Sequence, residues 1–217
     1  MPAGMTFATL KDDVANYLER SNSAVNDPLV YAQLPSLINL AERRIARDLK
    51  ILGLINTVVS TFTSGTAVYQ KPDRWRQTVS INFGTGTGNE TRNQVFPRSY
   101  EYIRFYWPDP TATGTPKFYA DYNAQNWIFG PTPDAAYPFE VLFYELPELL
   151  DDSTQTNWLT EYMPETLLYA SLFETAAFIK NTDQMGVWQG FYEKSRGAVM
   201  QEDMSKIIDR TSTRSGD

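Results

Sequence analysis

The sequence predicts an α+β fold in which a helical bundle from both chain ends carries an inserted, sandwich-like antiparallel β-domain. Three observations lead there. Apolar residues recur at helical spacing over 6–50 and again over 162–210. The stretch between them changes texture to β-branched and aromatic runs broken by Gly and Pro. Neither helical end carries enough partner surface to cover the other's apolar face by itself, so the two are expected to fold together. The boundaries read as 1–53 with 148–217 for the helical domain and 54–147 for the β-domain.

In chain order, Thr6 is a plausible N-cap for a helix to about Arg20, with Phe7, Leu10, Val14, Tyr17 and Leu18 on one face. Asp27-Pro28 is an N-cap followed by Pro at the first helical position. Pro35 is expected to interrupt that helix and restart it. From Pro35 to Lys50, Leu37, Ile38, Ala41, Ile45 and Leu49 form an apolar face, and Glu42, Arg43, Arg44, Arg47 and Asp48 a polar one. Ile55–Thr63 reads as a strand, Ser64-Gly65 as a turn and Thr66–Tyr69 as a return strand. Gln77–Phe83 is a further strand, and Gly84-Thr-Gly-Thr-Gly88 a hairpin tip. Arg98–Trp107 reads as a short helix. Lys117–Tyr122 and Asn126–Phe129 form a hairpin around Asn123-Ala-Gln, and Phe139–Tyr144 is the last strand.

The stretch from Tyr162 to Arg210 reads as two antiparallel helices around the polar break Lys180-Asn-Thr-Asp183. The first is apolar around most of its circumference and must be buried on more than one side. The second continues its apolar spacing through Met200, Met204, Ile207 and Ile208, beyond the reach of its shorter hairpin mate. That overhang is expected to dock on a neighbour or another protein.

Composition removes several functions. The chain has no Cys and no His, which excludes Ser-His-Asp and Cys-His catalysis and His- or Cys-ligated zinc. With net charge −7 and a pI near 4.7, it lacks the basic surface of a nucleic-acid binder. No signal peptide is expected from Met1-Pro-Ala-Gly-Met5. The apolar run Leu167–Ile179 is broken by Glu174 and is shorter than the roughly 20 residues of a membrane span. Gly84 to Gly88 has the look of a phosphate loop but lacks the Lys-Ser/Thr of a Walker motif. Asp151-Asp152 and Glu202-Asp203 are adjacent acids that point apart and suit solvated surface better than a catalytic pair. Arg43, Arg44 and Arg47 share a helix face that suits solvent, ion pairs, a protein partner or phosphates. The aromatics Tyr100, Tyr102, Phe105, Tyr106, Trp107, Phe118, Tyr119, Tyr122 and Trp127 suit core and interface, or a sugar platform.

The order of motifs carries a resemblance. Leu34-Pro-Ser-Leu-Ile-Asn-Leu-Ala-Glu-Arg-Arg-Ile-Ala-Arg-Asp-Leu49 is followed by Gln70-Lys-Pro-Asp73, Gly114-Thr-Pro-Lys-Phe-Tyr119 and Gly130-Pro-Thr-Pro133. Then come Phe143-Tyr-Glu-Leu-Pro147, Asn157-Trp-Leu159, Leu167-Leu-Tyr-Ala170 and Trp188-Gln-Gly-Phe-Tyr192. Over nearly the whole chain this resembles the head-to-tail adaptors of short-tailed bacteriophages, of the tail tubular protein A or gatekeeper type. The resemblance implies a virion structural protein of the neck, assembled in the host cytoplasm, with no catalytic residue, cofactor or metal. It implies a ring of typically twelve copies under the portal, its helical part facing portal and neighbours, its β-part facing the nozzle and sometimes tail fibres. DNA passes through without specific binding. The expected subunit and portal interface is Leu168, Leu172, Phe173, Met200, Met204, Ile207 and Ile208 with Arg43, Arg44 and Arg47. The expected tail-side surface is Gly84, Gly86 and Gly88. Two rivals remain at this level: a β-domain that grips a fibre or glycan, and a carboxylate-dependent glycoside hydrolase.

Overall fold

The computed structural model describes residues 4–84 and 93–212, with backbone alone at 205 and 207–212. The elements in chain order are α1 Phe7–Tyr17, α2 Pro28–Asp48, a 3-10 turn Leu52–Leu54, β1 Ile55–Thr61, β2 Val68–Gln70, β3 Trp75–Phe83, β4 Asn93–Pro97, α3 Tyr100–Tyr106, β5 Thr113–Gly114, β6 Phe118–Asp121, β7 Asn126–Gly130, β8 Thr132–Pro133, β9 Pro138–Glu145, α4 Trp158–Tyr162, α5 Pro164–Phe178 and α6 Thr182–Ser212. The chain divides into a helical unit, Met1–Leu54 with Leu146–Asp217, and a β-unit, Ile55–Glu145.

In the helical unit the caps act as their residue types require. The Thr6 hydroxyl accepts from Thr9 N–H, and the Thr9 hydroxyl accepts from Thr6 N–H. Asp27 accepts from Val30 N–H ahead of Pro28. Contrary to the expected restart, α2 runs unbroken through Pro35. The carbonyl that Pro35 leaves without its helical donor is that of Tyr31, a residue on the exposed side. The unsatisfied group therefore sits next to solvent.

Helix α5 is the centre of this unit. It packs on α2, α6, α1 and α4, and Leu167, Ala170, Leu172 and Ala176 are fully buried. Its small positions let neighbours approach closely. The buried hydroxyls remain satisfied: Ser171 donates to Leu167 O (2.8 Å), Thr175 donates to Ser171 O (2.7 Å), and Thr166 shares a hydrogen bond with Ser195 (2.5 Å). A polar seam joins α2 to α5 and α6, with Arg44 on Glu174 at 2.6 Å and the Tyr192 hydroxyl donating to Asp48 at 2.9 Å. Burial and the Asp48 carboxylate push the Tyr192 phenol well above its ordinary pKa.

At 31 residues α6 is about 46 Å long, against about 22 Å for the 15 residues of α5. Part of the overhang is covered by its own chain, which the sequence reading did not foresee. Leu52 N–H donates to Asp203 (3.2 Å). Val199, Asp203 and Lys206 border a depression of about 240 Å³ with Ile51, Trp158 and Tyr162.

The β-unit is not an antiparallel sandwich. It is one mixed seven-stranded sheet in the order β1-β9-β3-β4-β6-β7-β2, with a two-stranded parallel pair, β5-β8, beside it. Two of its features lie outside what the sequence reading expected. β2 pairs with β7, not back onto β1, and β4 runs parallel to β6. The sheet curls into a half-barrel. Trp75 on β3 and Trp127 on β7 both donate to the Thr78 hydroxyl (3.2 and 3.1 Å), although β4 and β6 lie between those strands. The concave side holds Phe62, Ile81, Phe83, Phe129, Phe139, Val141 and Phe143. On β9 the alternation of Phe139, Val141 and Phe143 inward follows the period of two. The expected hairpin at Asn123 is present, with Phe118 opposite Gly130. Helix α3 packs through Ile103 against Ala120 and Ile128 on the other face. Gly130 allows that close approach, since a Cβ there would lie 2.9 Å from both Ile103 and Trp107.

Candidate functional site

Residues that would do chemistry are engaged in structure. Asp151 accepts from the Ser153 hydroxyl (2.6 Å) and from the N–H groups of Thr154 and Ser153 (2.6 and 2.7 Å) in its own loop, and these bonds hold its carboxyl below the ordinary range. Asp152 pairs with Lys11 at 3.2 Å. Glu202 pairs with Lys206 at 2.7 Å, and Asp203 receives Leu52 N–H. Among the described residues no group of acids is arranged to hold a metal ion. No helix among them is long and apolar enough to cross a membrane. Among the described residues there are surfaces, and no cleft with converging reactive groups.

The expected interface residues separate into three groups. Leu172 is fully buried within its own unit and presents nothing to a neighbour; it lies on α5, which packs on α2, α6, α1 and α4. Leu168 and Phe173 are half-buried. Arg44 is held by Glu174 and lies over the Phe173 ring at 4.7 Å, so both stabilise the α2–α5 contact. Arg43 and Arg47 are exposed, and Arg47 is 3.5 Å from Asp48. Met200 and Met204 are exposed. The side chains of Ile207 and Ile208 lie outside the described residues, as do Gly86 and Gly88. Gly84 is buried, and its N–H donates to Pro138 O (2.9 Å), extending the β3–β9 ladder.

Glu42 sits where the sequence reading placed a polar face, yet it is fully buried. Its spacing explains this, because it lies four residues after Ile38 and three before Ile45 and so falls on the apolar stripe. The carboxylate accepts from Leu150 N–H (3.1 Å) and the Asn157 amide (2.6 Å), which pins the segment ahead of α4 to α2. With its nitrogen turned inward, the Asn39 amide adds donations to Leu150 O (3.1 Å) and to Glu42 (2.9 Å). Burial pushes the Glu42 pKa up to about 7, opposed by the hydrogen bonds from Leu150 N–H and the Asn157 amide and by the charge of Arg43.

The most telling surface is on α6. Gly186, Gly190, Glu193, Gly197, Met200 and Met204 follow the spacing i, i+4, i+7, i+11, i+14, i+18. That is the four-three alternation of a helix–helix seam, and all six residues are exposed. A Cβ built at any of the three glycines would meet nothing within 4 Å. Each glycine inside an exposed helix costs about 1 kcal/mol relative to Ala. Three of them on one seam gain nothing within this chain. They provide a flat strip against which another helix can come close. The sequence carried this signal as glycine spacing, and the reading that followed apolar residues alone passed over it.

The chain has no match among functionally curated proteins. Residues 5–215 match the profile of the family described as SU10 adaptor protein. That match spans the helices at both ends and the sheet between them. The chain belongs to the SU10 adaptor protein family of phage head–tail adaptors, a structural family and not an enzyme family.

Proposed function

We propose that the chain is one subunit of a ring of twelve copies that joins the portal of the capsid to the tail nozzle and leaves a central channel for DNA. The uncovered seam of α6 supports this reading most directly. A helix with a close-approach strip on one side and its own core on the other suits a subunit that meets a second copy, and closure by rotation lets every copy bury the same strip. In this reading the helical unit packs against neighbouring copies and the portal, with Arg43, Arg47, Met200 and Met204 at the contacts. The β-unit faces the tail. The net charge of −7 suits a conduit that repels phosphates, so the duplex slides without sticking. The protein is a structural part of the phage virion; we place it in the neck, after assembly in the host cytoplasm.

Native mass spectrometry of the protein alone and with portal tests the reading. The expected result is a ring in at least one condition, lost on Gly190→Leu while circular dichroism and Tm show a folded subunit. No ring with portal present overturns the ring. A ring that forms unchanged with Gly190→Leu overturns the α6 contact.

A further inference from the structure

We infer that the β-unit docks an acidic segment of another virion protein on an aromatic ridge built by α3, β4 and β6. The inference rests on the adaptor reading, since it concerns what the β-unit holds.

The ridge is continuous. Phe105 contacts Tyr106 (5.3 Å between ring centroids), Tyr106 contacts Tyr102 (4.5 Å), Tyr102 contacts Phe118 (5.5 Å), and Trp107 contacts Phe118 (5.7 Å). Phe96 stands opposite Phe118 across the β4–β6 pair. Phe105 is 79% exposed, Tyr106 58% and Phe96 50%. One face of the short helix is thus satisfied by Ile103 on the sheet while the other presents rings to solvent. Exposed aromatics gathered in one place mark an interaction surface. Beside the ridge, Phe83, Phe96, Pro116, Lys117 and Phe118 line a depression of about 330 Å³, large enough for an anchoring side chain.

Charge decides the kind of partner. Arg98 lies over Tyr102 (5.6 Å) and Phe118 (5.3 Å). Lys117 is exposed at the depression. Among the described residues, neither cation has a carboxylate within ion-pair distance. With Arg104 on α3, which donates to the Tyr100 hydroxyl, the cations at the ridge outnumber Glu101 and Asp109, a local excess of positive charge in a chain of net charge −7. They fit a protein segment with an aromatic or aliphatic anchor flanked by Asp or Glu, whose carboxylate Arg98 can bind through parallel N–H donors. Nucleic acid fits less well. So few cations neutralise too few phosphates for useful affinity.

A displayed random dodecapeptide library, panned on the intact protein and counter-selected on Phe105→Ser, tests the inference. Phe105 is exposed, so that variant keeps its fold, which Tm verifies. The expected outcome is a consensus with an aromatic or aliphatic residue beside two or more acids, and binding weakened at least tenfold by Phe105→Ser and by Arg98→Gln. A neutral or basic consensus, or none that depends on Phe105, overturns it. So does displacement of the selected peptide by a dT15 oligonucleotide or by maltoheptaose, which would assign the ridge to nucleic acid or glycan. Native mass spectrometry of Phe105→Ser separates the two readings. Loss of the ring would make the ridge a contact between copies and overturn this inference alone, whereas an intact ring with lost peptide binding supports both.

Discussion

Helices α5 and α6 are consecutive in sequence and opposite in what they need. α5 is apolar all round, which in isolation predicts a demand for neighbouring subunits. Its own chain meets that demand, with α2, α6, α1 and α4 packed about it and its hydroxyls bonded internally. α6 is the more polar of the two by composition, and only its overhang is expected to dock on another body. It packs on α5 along one side and leaves another side uncovered, with three glycines and two methionines on one exposed seam. Hydrophobicity thus marks what must be buried somewhere, whereas small residues that gain nothing in the folded subunit leave room for a second body to come close.

The largest expected effect lies inside. Leu172→Ala removes a fully buried side chain from the middle of α5 and should destabilise the subunit by about 3 kcal/mol, within the usual range of roughly 2–5. Urea unfolding measures this. A loss under 1 kcal/mol would mean that α5 is loosely held, and the contrast with α6 would fall.

The same interior carries a pH-dependent weakness. The pKa of Glu42 rises from 4.5 to about 7 on folding, so between those values the folded chain binds more protons than the unfolded one. Stability should therefore be highest below about pH 4.5 and decline as pH rises to 7, by up to about 3 kcal/mol from this group. Asp109 and Asp151, whose carboxyls are lowered on folding, act in the opposite sense and only below about pH 4. Urea midpoints at pH 5 and 7.5 should show the decline, and Glu42→Gln should flatten it. An equal slope in both proteins would sink the assignment.

The smallest effect is outside and of opposite sign. Gly197→Ala adds a methyl group that meets no atom of this chain, so it should raise subunit stability by about 1 kcal/mol or less. Ring formation should nonetheless weaken. Thermal unfolding of the isolated subunit and native mass spectrometry of the assembly read the two halves. A variant that is stabilised in both would show that the seam is merely surface.

Local chemistry made several elements legible. Thr6 and Asp27 are caps because their side-chain oxygens meet N–H groups three residues on, and Phe139, Val141 and Phe143 alternate because a strand does. The Glu42 site was legible in spacing, four residues after Ile38, but a carboxylate among arginines invites a polar assignment. The expected interface residues drawn from apolar spacing included Leu172, which is fully buried, and left out Gly186, Gly190 and Gly197, which lie exposed along α6. The aromatics 100–127 could not be sorted by sequence. Trp127 and Tyr119 line the core while Phe105 and Tyr106 face solvent, and that division depends on which face of α3 meets the sheet.

By itself the sequence determined the α+β class, the helical ends around a β-insert, the caps, the hairpin at Asn123 and the family, because each rests on residues near one another or on motif order. Tertiary structure alone decided that β2 leaves β1 to pair with β7, that β4 lies parallel to β6, that Glu42 is inside, and that α5 is covered while one face of α6 is not. Those outcomes depend on which distant surfaces meet, and pairing between residues far apart in the chain is set by the total burial they achieve together, a quantity no local window contains.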